Sequence, residues 1–355
     1  MPEPIRINAA DLRRPEVNEY VEMQQLMRRD AGPLDAQPWI IRVIYANWFY
    51  LSLASMAGAL AAWACLEPFI DDRELGAEGH VALFFVFPAV MAAVGLSLGA
   101  AEGLICRNFL RALRCGAVGM GVGFLGGLVA LFPAGIIFSV MGSLAWEMTD
   151  EPELHEMPAG IGLLVLMMGR AAAWALAAIP AGMGQGIALR ERKVIINGLV
   201  GGVLGGLIGG LLFDPIALLL TSDDQQAALS RAVGFAAIGL FVGLFVGLVE
   251  GWTKTAWLHM RKGPLAGKQF VLFKDTTVLG SSPKADVYLF KDDAIEPRHA
   301  IITNRGGRFE IEDCKTPDGT YVNGVPISSR TLTDGDQIVL GKTVLEFSVK
   351  ESGAS

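Results

Sequence analysis

Cysteine and charge are both scarce in this sequence. Four cysteines occur among 355 residues and none stands in a CxxC pair, so the sequence predicts neither a disulfide scaffold nor a zinc or redox site. Charged residues make up only 18%, against about 25% in an average soluble protein, and the net charge is −7. A nucleic-acid-binding protein normally has a basic surface. We therefore expect no metal ion and no nucleic-acid partner.

Catalytic and targeting signals are also missing. The sequence contains no HExxH, no GxSxG and no Walker-type phosphate-binding loop, so it predicts neither an enzyme nor a bound cofactor. The first 20 residues contain no apolar core of a cleavable signal peptide. Membrane insertion is then expected to depend on the first spanning helix itself.

Apolar residues and glycine are abundant instead. Hydrophobic residues make up 52% of the chain, and there are 43 glycines. A spanning helix needs about 20 mostly apolar residues. Six segments meet this requirement, at residues 46–67, 81–106, 115–142, 159–188, 194–213 and 232–257. The sequence thus predicts a polytopic α-helical membrane domain of six glycine-rich spans, over residues 41–258.

The charges between the spans predict the orientation of this domain. Lys and Arg mark the cytoplasmic side of a membrane protein. Basic residues follow the second, fourth and sixth spans, whereas the segments after the first, third and fifth spans are acidic, the last of these containing Asp214. We therefore expect a multi-pass protein of the inner (plasma) membrane with both termini in the cytoplasm. Residues 1–40 form a polar cytoplasmic segment in this prediction.

An internal repeat runs through the predicted spans. Gly99, Gly182 and Gly247 occupy equivalent places near the ends of the second, fourth and sixth spans. Glycines three or four residues apart also recur in the third and fifth spans, from Gly116 and from Gly198 onward. The domain therefore resembles one hairpin repeated two and a half times. Such stripes indicate close helix packing within one chain or between copies in a homo-oligomer; a glycine-lined pathway is the alternative.

Four polar residues inside the predicted spans are candidates for function. Glu102, Gln185 and Glu250 are equivalent in the repeat, and Arg170 lies about a dozen residues into the fourth span. Three interpretations of Arg170 remain open. It pairs with a carboxylate in the bundle, it lines a hydrated cavity that moves an ion or substrate, or it lies near the outer interface.

The last 90 residues are of a different kind. Short segments with a period of two, such as QFVLFK, HAIIT and TVLEFSV, alternate with turn signals. This pattern predicts an all-β sandwich over residues 264–350. Three blocks, LGSSPKADVYLFKDDAIEPRHAIIT, DCKTPDGTYVNGVPI and LTDGDQIVLG, resemble the forkhead-associated (FHA) domain. The resemblance covers about 268–350 and rests on Gly280, His299, Gly319, Thr320, Asn323 and Gly324.

The resemblance implies a protein-binding function at loops on one end of the sandwich, where FHA domains bind phosphothreonine. Ser281 stands where the family has arginine, Glu296 where a serine meets the phosphate, and Asp318 where an asparagine holds the peptide. Two carboxylates there predict repulsion of a phosphate. The variant IEPRHA is similar to degenerate FHA domains of type III secretion rings. The candidate partner-binding residues are Ser281, Ser282, Glu296, Arg298, Thr316, Asp318 and Asn323, although His299 and Asn323 are also expected to brace the loops.

We therefore expect an integral membrane scaffold or signalling protein that recruits a cytoplasmic protein partner without strict dependence on phosphothreonine. Two alternatives remain. One is a transporter or channel regulated by its FHA-like tail, and the other is an adaptor that reads phosphothreonine on a Ser/Thr-kinase substrate. The lipid bilayer is a partner in every case.

Overall fold

The computed structural model describes residues 38–69, 81–150, 157–220 and 227–350. The chain divides into two compact units, one comprising Ile44–Lys254 and the other comprising Met1–Val43 with Thr255–Ser355. Nearly all of the predicted N-terminal segment, residues 1–40, lies outside the described residues.

The helices come first along the chain, and all of them except the shortest, Trp39–Ile44, lie within the first unit. The described residues form seven α-helices, with a short 3₁₀ turn at Glu67–Phe69 after the second. Six of them are long and apolar enough to cross a membrane, which confirms the predicted class of fold. The helices are α1 (Trp39–Ile44), α2 (Asn47–Leu66), α3 (Val81–Ile105), α4 (Phe109–Glu147), α5 (Ile161–Leu189), α6 (Arg192–Leu220) and α7 (Ala227–Thr253).

Helices α4 and α6 extend furthest beyond the segments predicted from hydropathy. Helix α4 has 39 residues, whereas residues 115–142 were expected; it begins after Asn108, whose side chain accepts a hydrogen bond from the Arg111 amide at 3.0 Å. Helix α6 continues to Leu220 and includes Asp214. The prediction that Asp214 belongs to an acidic loop is therefore wrong, because this carboxylate lies in the helix and is buried.

The glycine stripes pack helix against helix within the chain. A Cβ atom added to Gly99 would lie 2.3 Å from the Cys115 carbonyl oxygen, and one added to Gly182 would lie 2.1 Å from that of Gly198. A Cβ atom on Gly247 would lie 2.4 Å from Cα of Trp48. The equivalent glycines thus form equivalent contacts in α3–α4, α5–α6 and α7–α2. Helix α2, the first of the six long helices, packs against α7 and so supplies the partner helix that the half repeat lacks.

The turns of the first two hairpins repeat as well. Arg107 in the α3–α4 turn has a positive φ of 53°, and Arg190 in the α5–α6 turn has a positive φ of 58°. In each turn the next residue's amide bonds back to a repeat glycine, from Asn108 to Gly103 at 2.7 Å and from Glu191 to Gly186 at 3.0 Å. Sequence similarity and backbone geometry therefore agree on the same unit.

Aromatic side chains join the three helices that carry Gly99, Gly182 and Gly247. Trp174 on α5 stacks on Phe87 of α3 at 4.4 Å between ring centroids. It also meets Phe235 of α7 edge-on at 5.8 Å. Because these three helices contact one another, they form the centre of the unit, and much of α4 lies at its surface.

The second unit contains a β-sandwich of two sheets. Their strand orders are β2-β1-β11-β10-β7-β8 and β4-β3-β5-β6-β9. All but one of the paired strands are antiparallel, the exception being β3 with β4. The strands are β1 (Ala256–Lys262), β2 (Gln269–Val271), β3 (Thr276–Gly280), β4 (Val287–Tyr288), β5 (Ala300–Arg305), β6 (Arg308–Asp313), β7 (Thr320–Val322), β8 (Val325–Ile327), β9 (Ser329–Thr331), β10 (Gln337–Leu340) and β11 (Thr343–Val349).

The sandwich begins earlier than the predicted boundary at residue 264. Strand β1 starts at Ala256 and pairs along its length with β11, from Ala256 opposite Val349 onward. Trp257, expected at the membrane exit of the sixth span, lies in this strand. The basic residues Lys254, Arg261 and Lys262 match the charge pattern of a membrane exit, and this pattern placed the boundary too late.

Candidate functional site

Three loops meet at one end of the sandwich. Strands β5 and β6 are antiparallel with Ala300 opposite Asp313, so the residues before β5 and after β6 share that end. Leu279 also lies opposite Ala300, which brings the loop after β3 to the same place. The structure therefore brings together the predicted loop residues Ser281, Ser282, Glu296, Arg298, Thr316 and Asp318.

His299 ties two of these loops together. Its side chain is fully buried, and Nδ1 accepts a hydrogen bond from the Glu296 amide at 3.1 Å. Nε2 lies 3.1 Å from the carbonyl oxygen of Gly319. Because Nδ1 accepts an N–H, the hydrogen is assigned to Nε2, which donates to Gly319. The imidazole therefore fixes the spacing between the Glu296 loop and the Asp318–Gly319 loop.

Asp313 organises the loop after β6. Its carboxylate accepts hydrogen bonds from the hydroxyls of Thr316 at 2.9 Å and Thr320 at 2.7 Å, and from the Thr316 amide at 3.1 Å. Partial burial pushes the pKa of Asp313 upward, but the hydrogen bonds from Thr320 and Thr316 outweigh it, so this pKa lies below its ordinary value. The Thr316 hydroxyl hydrogen is thus already used inside the loop.

Asp313 was not among the residues singled out from the sequence. The sequence does contain a pattern that could have identified Asp313. An Asp three residues before a Thr favours a turn in which the Asp side chain accepts hydrogen bonds from the Thr. The family motif directed attention instead to the residues that would face a ligand. Through its bonds to Thr316 and Thr320, the Asp313 carboxylate sets the conformation of the loop that carries Thr316.

The outward side chains of this end carry charges of both signs. Glu296, Arg298 and Asp318 are all exposed. Ser281 is held by its backbone, since its amide donates to the Glu296 carbonyl at 3.0 Å. A Cβ atom added to Gly280 would lie 2.3 Å from the Pro297 carbonyl oxygen. The backbone of the loop after β3 is therefore in contact with the backbone of the loop before β5. The family's arginine position and its serine position are consequently adjacent, and they hold Ser281 and Glu296.

Arg298 is the basic side chain next to His299, and it interacts with Cys314. Burial raises the pKa of the Cys314 thiol, while the Arg298 charge and a hydrogen bond with its side chain act in the opposite direction. The Cys314 amide donates to the His299 carbonyl oxygen at 2.9 Å, so Arg298 lies beside the loop that follows β6.

Asn323 lies at the other end of β7 from this loop cluster, about 10 Å along three residues of strand. Asn323 and Gly324 have φ of 52° and 78° and form the two-residue turn between β7 and β8. The Asn323 side chain donates to Asp336 at 2.6 Å and accepts from the Gln337 amide at 2.8 Å. It therefore braces the fold, and the structure does not bring it to the other candidate residues.

The polar candidates of the helical unit separate into two groups. At the end where α3 meets α4, Glu102 accepts hydrogen bonds from Arg111 at 2.9 Å and from Gln185 at 3.2 Å. Glu250 is buried on α7. Glu250 lies three positions after Gly247, as Glu102 lies three positions after Gly99, so the two carboxylates stand at the same end of the repeat.

Arg170 forms the second group with Asp214. Its Nε lies 2.9 Å from one carboxylate oxygen, and Asp214 is only 2% exposed as a side chain. The guanidinium also lies over the rings of Phe138 and Phe213, each 4.9 Å away. Gln185 follows Arg170 by 15 positions on α5, which is about 22 Å along the helix. The four predicted candidates therefore do not converge.

Comparison with known proteins agrees with the geometry of the sandwich. The FHA domain model matches residues 277–341, and no family model matches the helical unit. The chain is 40% identical over 100 residues to the oxoglutarate dehydrogenase inhibitor of Corynebacterium jeikeium, covering 28% of this chain and 69% of that protein. It is 39% identical over 93 residues to the glycogen accumulation regulator GarA of Mycolicibacterium smegmatis, covering 26% of this chain and 58% of GarA.

Solved structures include the FHA domain of the CT664 protein from Chlamydia trachomatis. It is 28% identical with a TM-score of 0.26, over 27% of this chain and 99% of that domain. A domain from work on phosphothreonine-dependent FHA interactions is 26% identical with a TM-score of 0.26, over 27% of this chain and 98% of that domain. The family model and the sequence relatives carry the conclusion. Through its C-terminal sandwich, the chain belongs to the forkhead-associated domain family.

Proposed function

We propose that this chain is a membrane-anchored scaffold whose FHA domain recruits a cytoplasmic protein partner without requiring phosphothreonine. FHA homologues act through protein–protein interaction. The partner-binding surface is the loop end formed around Ser281, Glu296, Arg298, Thr316 and Asp318.

The observation that carries this proposal is the charge at the phosphate position. Glu296 and Asp318 project from two loops that His299 holds at a fixed spacing. A phosphothreonine carries about −1.5 to −2 charges at neutral pH, and its recognition usually relies on arginine. Because Ser281 replaces the arginine of the first block, Arg298 is the basic residue of the motif that remains to offset these two carboxylates.

Packing in the helical unit favours a scaffold over a transporter. The glycine stripes are closed by neighbouring backbone, as at Gly95 and Gly119, where an added Cβ would lie 2.2–2.3 Å from the facing carbonyl oxygen. The intramembrane polar residues form two groups at different depths, and each carries its own pairing. A pathway through the unit would require these groups to share one hydrated space.

Inner-membrane location, cytoplasmic termini and lack of enzymatic activity belong to the same proposal. The basic residues Arg107, Arg111 and Arg190 lie at one end of the helical hairpins, which is the pattern of a cytoplasmic face. Within the described residues, no group of three or more His, Cys, Asp or Glu side chains is arranged to hold a metal ion. The names of the relatives, an enzyme inhibitor and a metabolic regulator, make a metabolic enzyme one class of partner to test.

The test uses the full chain in lipid nanodiscs. Binding is measured against a library of threonine peptides, each in a phosphorylated and a plain form. We expect the two forms to differ by less than about tenfold, or ~1.4 kcal/mol. The triple variant Ser281→Arg/Glu296→Ser/Asp318→Asn restores the family residues and should gain a preference for the phosphorylated form.

A preference of the unaltered chain for phosphopeptides above tenfold would contradict the proposal. In that case the Arg298→Ala variant would show whether Arg298 is responsible for the preference for phosphopeptides. Arg308→Ala, at the opposite end of β6, is the matched control. Recruitment is tested separately by photo-crosslinking in native membranes. The cross-linked partner should be lost in Glu296→Lys and Asp318→Lys, and retention in both would show that the loop end is not the binding surface.

A further inference from the structure

The α3–α4 and α5–α6 turns are equivalent in their contacts. An added Cβ would lie 2.4 Å from the Ala112 amide nitrogen at Gly103, and 2.4 Å from the Ile195 amide nitrogen at Gly186. At the third equivalent glycine, Gly251, an added Cβ would meet nothing within 4 Å, since α7 leads into β1 and not into a second helix. The two turns can therefore be compared residue by residue, at a separation of 83 positions.

Both turns carry an excess of positive charge. Residues 102–114 and 185–197 each contain three basic residues and one carboxylate, which is Glu102 in the first turn and Glu191 in the second. Glu102 is paired with Arg111 at 2.9 Å. In the described part of the chain, none of the other basic side chains of the two turns forms an ion pair, and all of them are exposed. These side chains are Arg107, Arg114, Arg190, Arg192 and Lys193.

Arginine occupies the left-handed position of each turn. Arg107 has φ 53° and Arg190 has φ 58°. Glycine adopts this conformation without steric cost, and asparagine adopts it more readily than residues with a longer side chain. The backbone of the turns therefore does not explain why both positions hold arginine. A charged contact made by the two exposed guanidinium groups outside the chain would explain it.

Exposed apolar side chains border these basic residues. Leu104, Ile187 and Trp252 each follow a repeat glycine and are 37–62% exposed. Leu113 and Ile196, which are equivalent on the second helix of each hairpin, are 72% and 60% exposed. Tryptophan is enriched where the acyl chains of a bilayer meet the headgroups. This end of the helices therefore has the pattern of a membrane boundary, with apolar side chains on one side of it and guanidinium groups on the other.

We propose that the two turns are binding sites for the headgroups of anionic phospholipids. Arginine binds phosphate oxygens through paired, charge-assisted hydrogen bonds, and the exposed apolar residues contact the acyl chains of the same lipid. The positive excess favours an anionic lipid, because a zwitterionic lipid brings a cationic group together with its phosphate. The inference rests on the proposed location of the helical unit in a bilayer and is independent of what the FHA domain binds.

The test measures which lipids the full chain retains. The protein is placed in nanodiscs of phosphatidylglycerol and phosphatidylcholine in equal amounts, and the lipids that remain bound are counted by native mass spectrometry. We expect the unaltered chain to retain phosphatidylglycerol in preference. Arg107→Asn/Arg190→Asn should lower this preference by about fivefold at each turn. Its thermal unfolding temperature should not fall, because asparagine tolerates the left-handed conformation.

Two further variants separate charge from fold. Arg107→Lys/Arg190→Lys preserves the positive charges and should retain most of the preference. Arg305→Asn/Arg308→Asn is the matched control, since it removes two exposed arginines from the sandwich and should leave lipid retention unchanged.

Three results would overturn the proposal. The first is equal retention of the two lipids by the unaltered chain. The second is a preference that survives in Arg107→Asn/Arg190→Asn or that falls equally in the sandwich control. The third is displacement of phosphatidylglycerol by millimolar inorganic phosphate, which would show that the turns bind a soluble anion and not a lipid.

Discussion

Backbones make the closest contacts in the helical unit, whereas large side chains make them in the FHA sandwich. At Gly198 an added Cβ would lie 2.1 Å from the Gly182 carbonyl oxygen. In the sandwich, Phe309 and Phe347 meet from opposite sheets with centroids 5.3 Å apart. The sandwich folds in water, where removing apolar side chains from the solvent lowers the free energy, so their burial stabilises the sandwich. Helices in lipid gain nothing from such burial and are held by close van der Waals contact.

The largest effect expected in the helical unit comes from adding atoms to its glycine contacts. In Gly205→Leu the new Cβ would lie 2.3 Å from Cα of Val242, so α6 and α7 must separate. Overpacking typically costs about 1–3 kcal/mol, and displaced backbone places this variant at or above the upper end. We expect little folded protein by gel filtration in detergent. Gly251→Leu should behave like the unaltered chain, and equal yields for the two would refute this account of the stripes.

Removing atoms should have its greatest effect in the sandwich. Phe347 is fully buried, and Phe347→Ala should lower the free energy of unfolding by about 3–5 kcal/mol through lost burial and a cavity. Calorimetry of the full chain in nanodiscs should show the sandwich transition falling, with the helical transition unchanged. A shift of both transitions by the same amount would mean that the units do not unfold separately.

The division into two units could be predicted from sequence, because about 20 apolar residues and a period of two are local signals. The end of α6 could not. A hydropathy profile ends the helix at Asp214 because a carboxylate is unfavourable in an apolar span. Its partner Arg170 lies 44 positions earlier, so no local pattern in the sequence reveals the pair. The role of α2 was also hidden, since its contacts with α7 are made by Trp48 and Leu51 and not by a matching glycine stripe.

The candidate site was predicted in part, for a similar reason. The family motif identified which residues reach the loop end, because motif spacing follows strand length. It placed Asn323 among the binding residues, although the pairing of Asn323 with Asp336 depends on two turns meeting in space. Asp313 was missed because its partners are hydroxyls of its own loop, which no charge pattern reveals.

Ion pairs offer another comparison of the two units, because the Arg170–Asp214 pair of the helical unit is much more buried than the Arg305–Glu310 pair of the sandwich. Because Asp214 is nearly fully buried, Arg170→Met should leave an uncompensated charge and cost about 3 kcal/mol, and Arg170→Met/Asp214→Leu should recover much of that loss. The exposed sandwich pair Arg305–Glu310, with Arg305 76% exposed, should contribute at most about 1 kcal/mol. Thermal unfolding of both sets provides the measurement, and equal losses from Arg170→Met and Arg305→Ala would contradict the difference in burial.

The smallest effect concerns pH and the loop held by Asp313. Its pKa is lowered in the folded protein, so its contribution to stability is present above the unfolded value of about 3.9 and is lost as pH falls through the lower folded pKa. At pH 7, Asp313→Asn should cost about 1 kcal/mol, because an amide oxygen cannot accept all three hydrogen bonds as well as a carboxylate. Denaturant unfolding between pH 6 and pH 3 should show this difference shrinking, since acid protonates the unaltered chain at Asp313. Asp293→Asn, a change at an exposed carboxylate in the loop before β5, provides the control. A difference that stays constant down to pH 3 would mean that the loop is held by His299 alone and that Asp313 only fills space beside it.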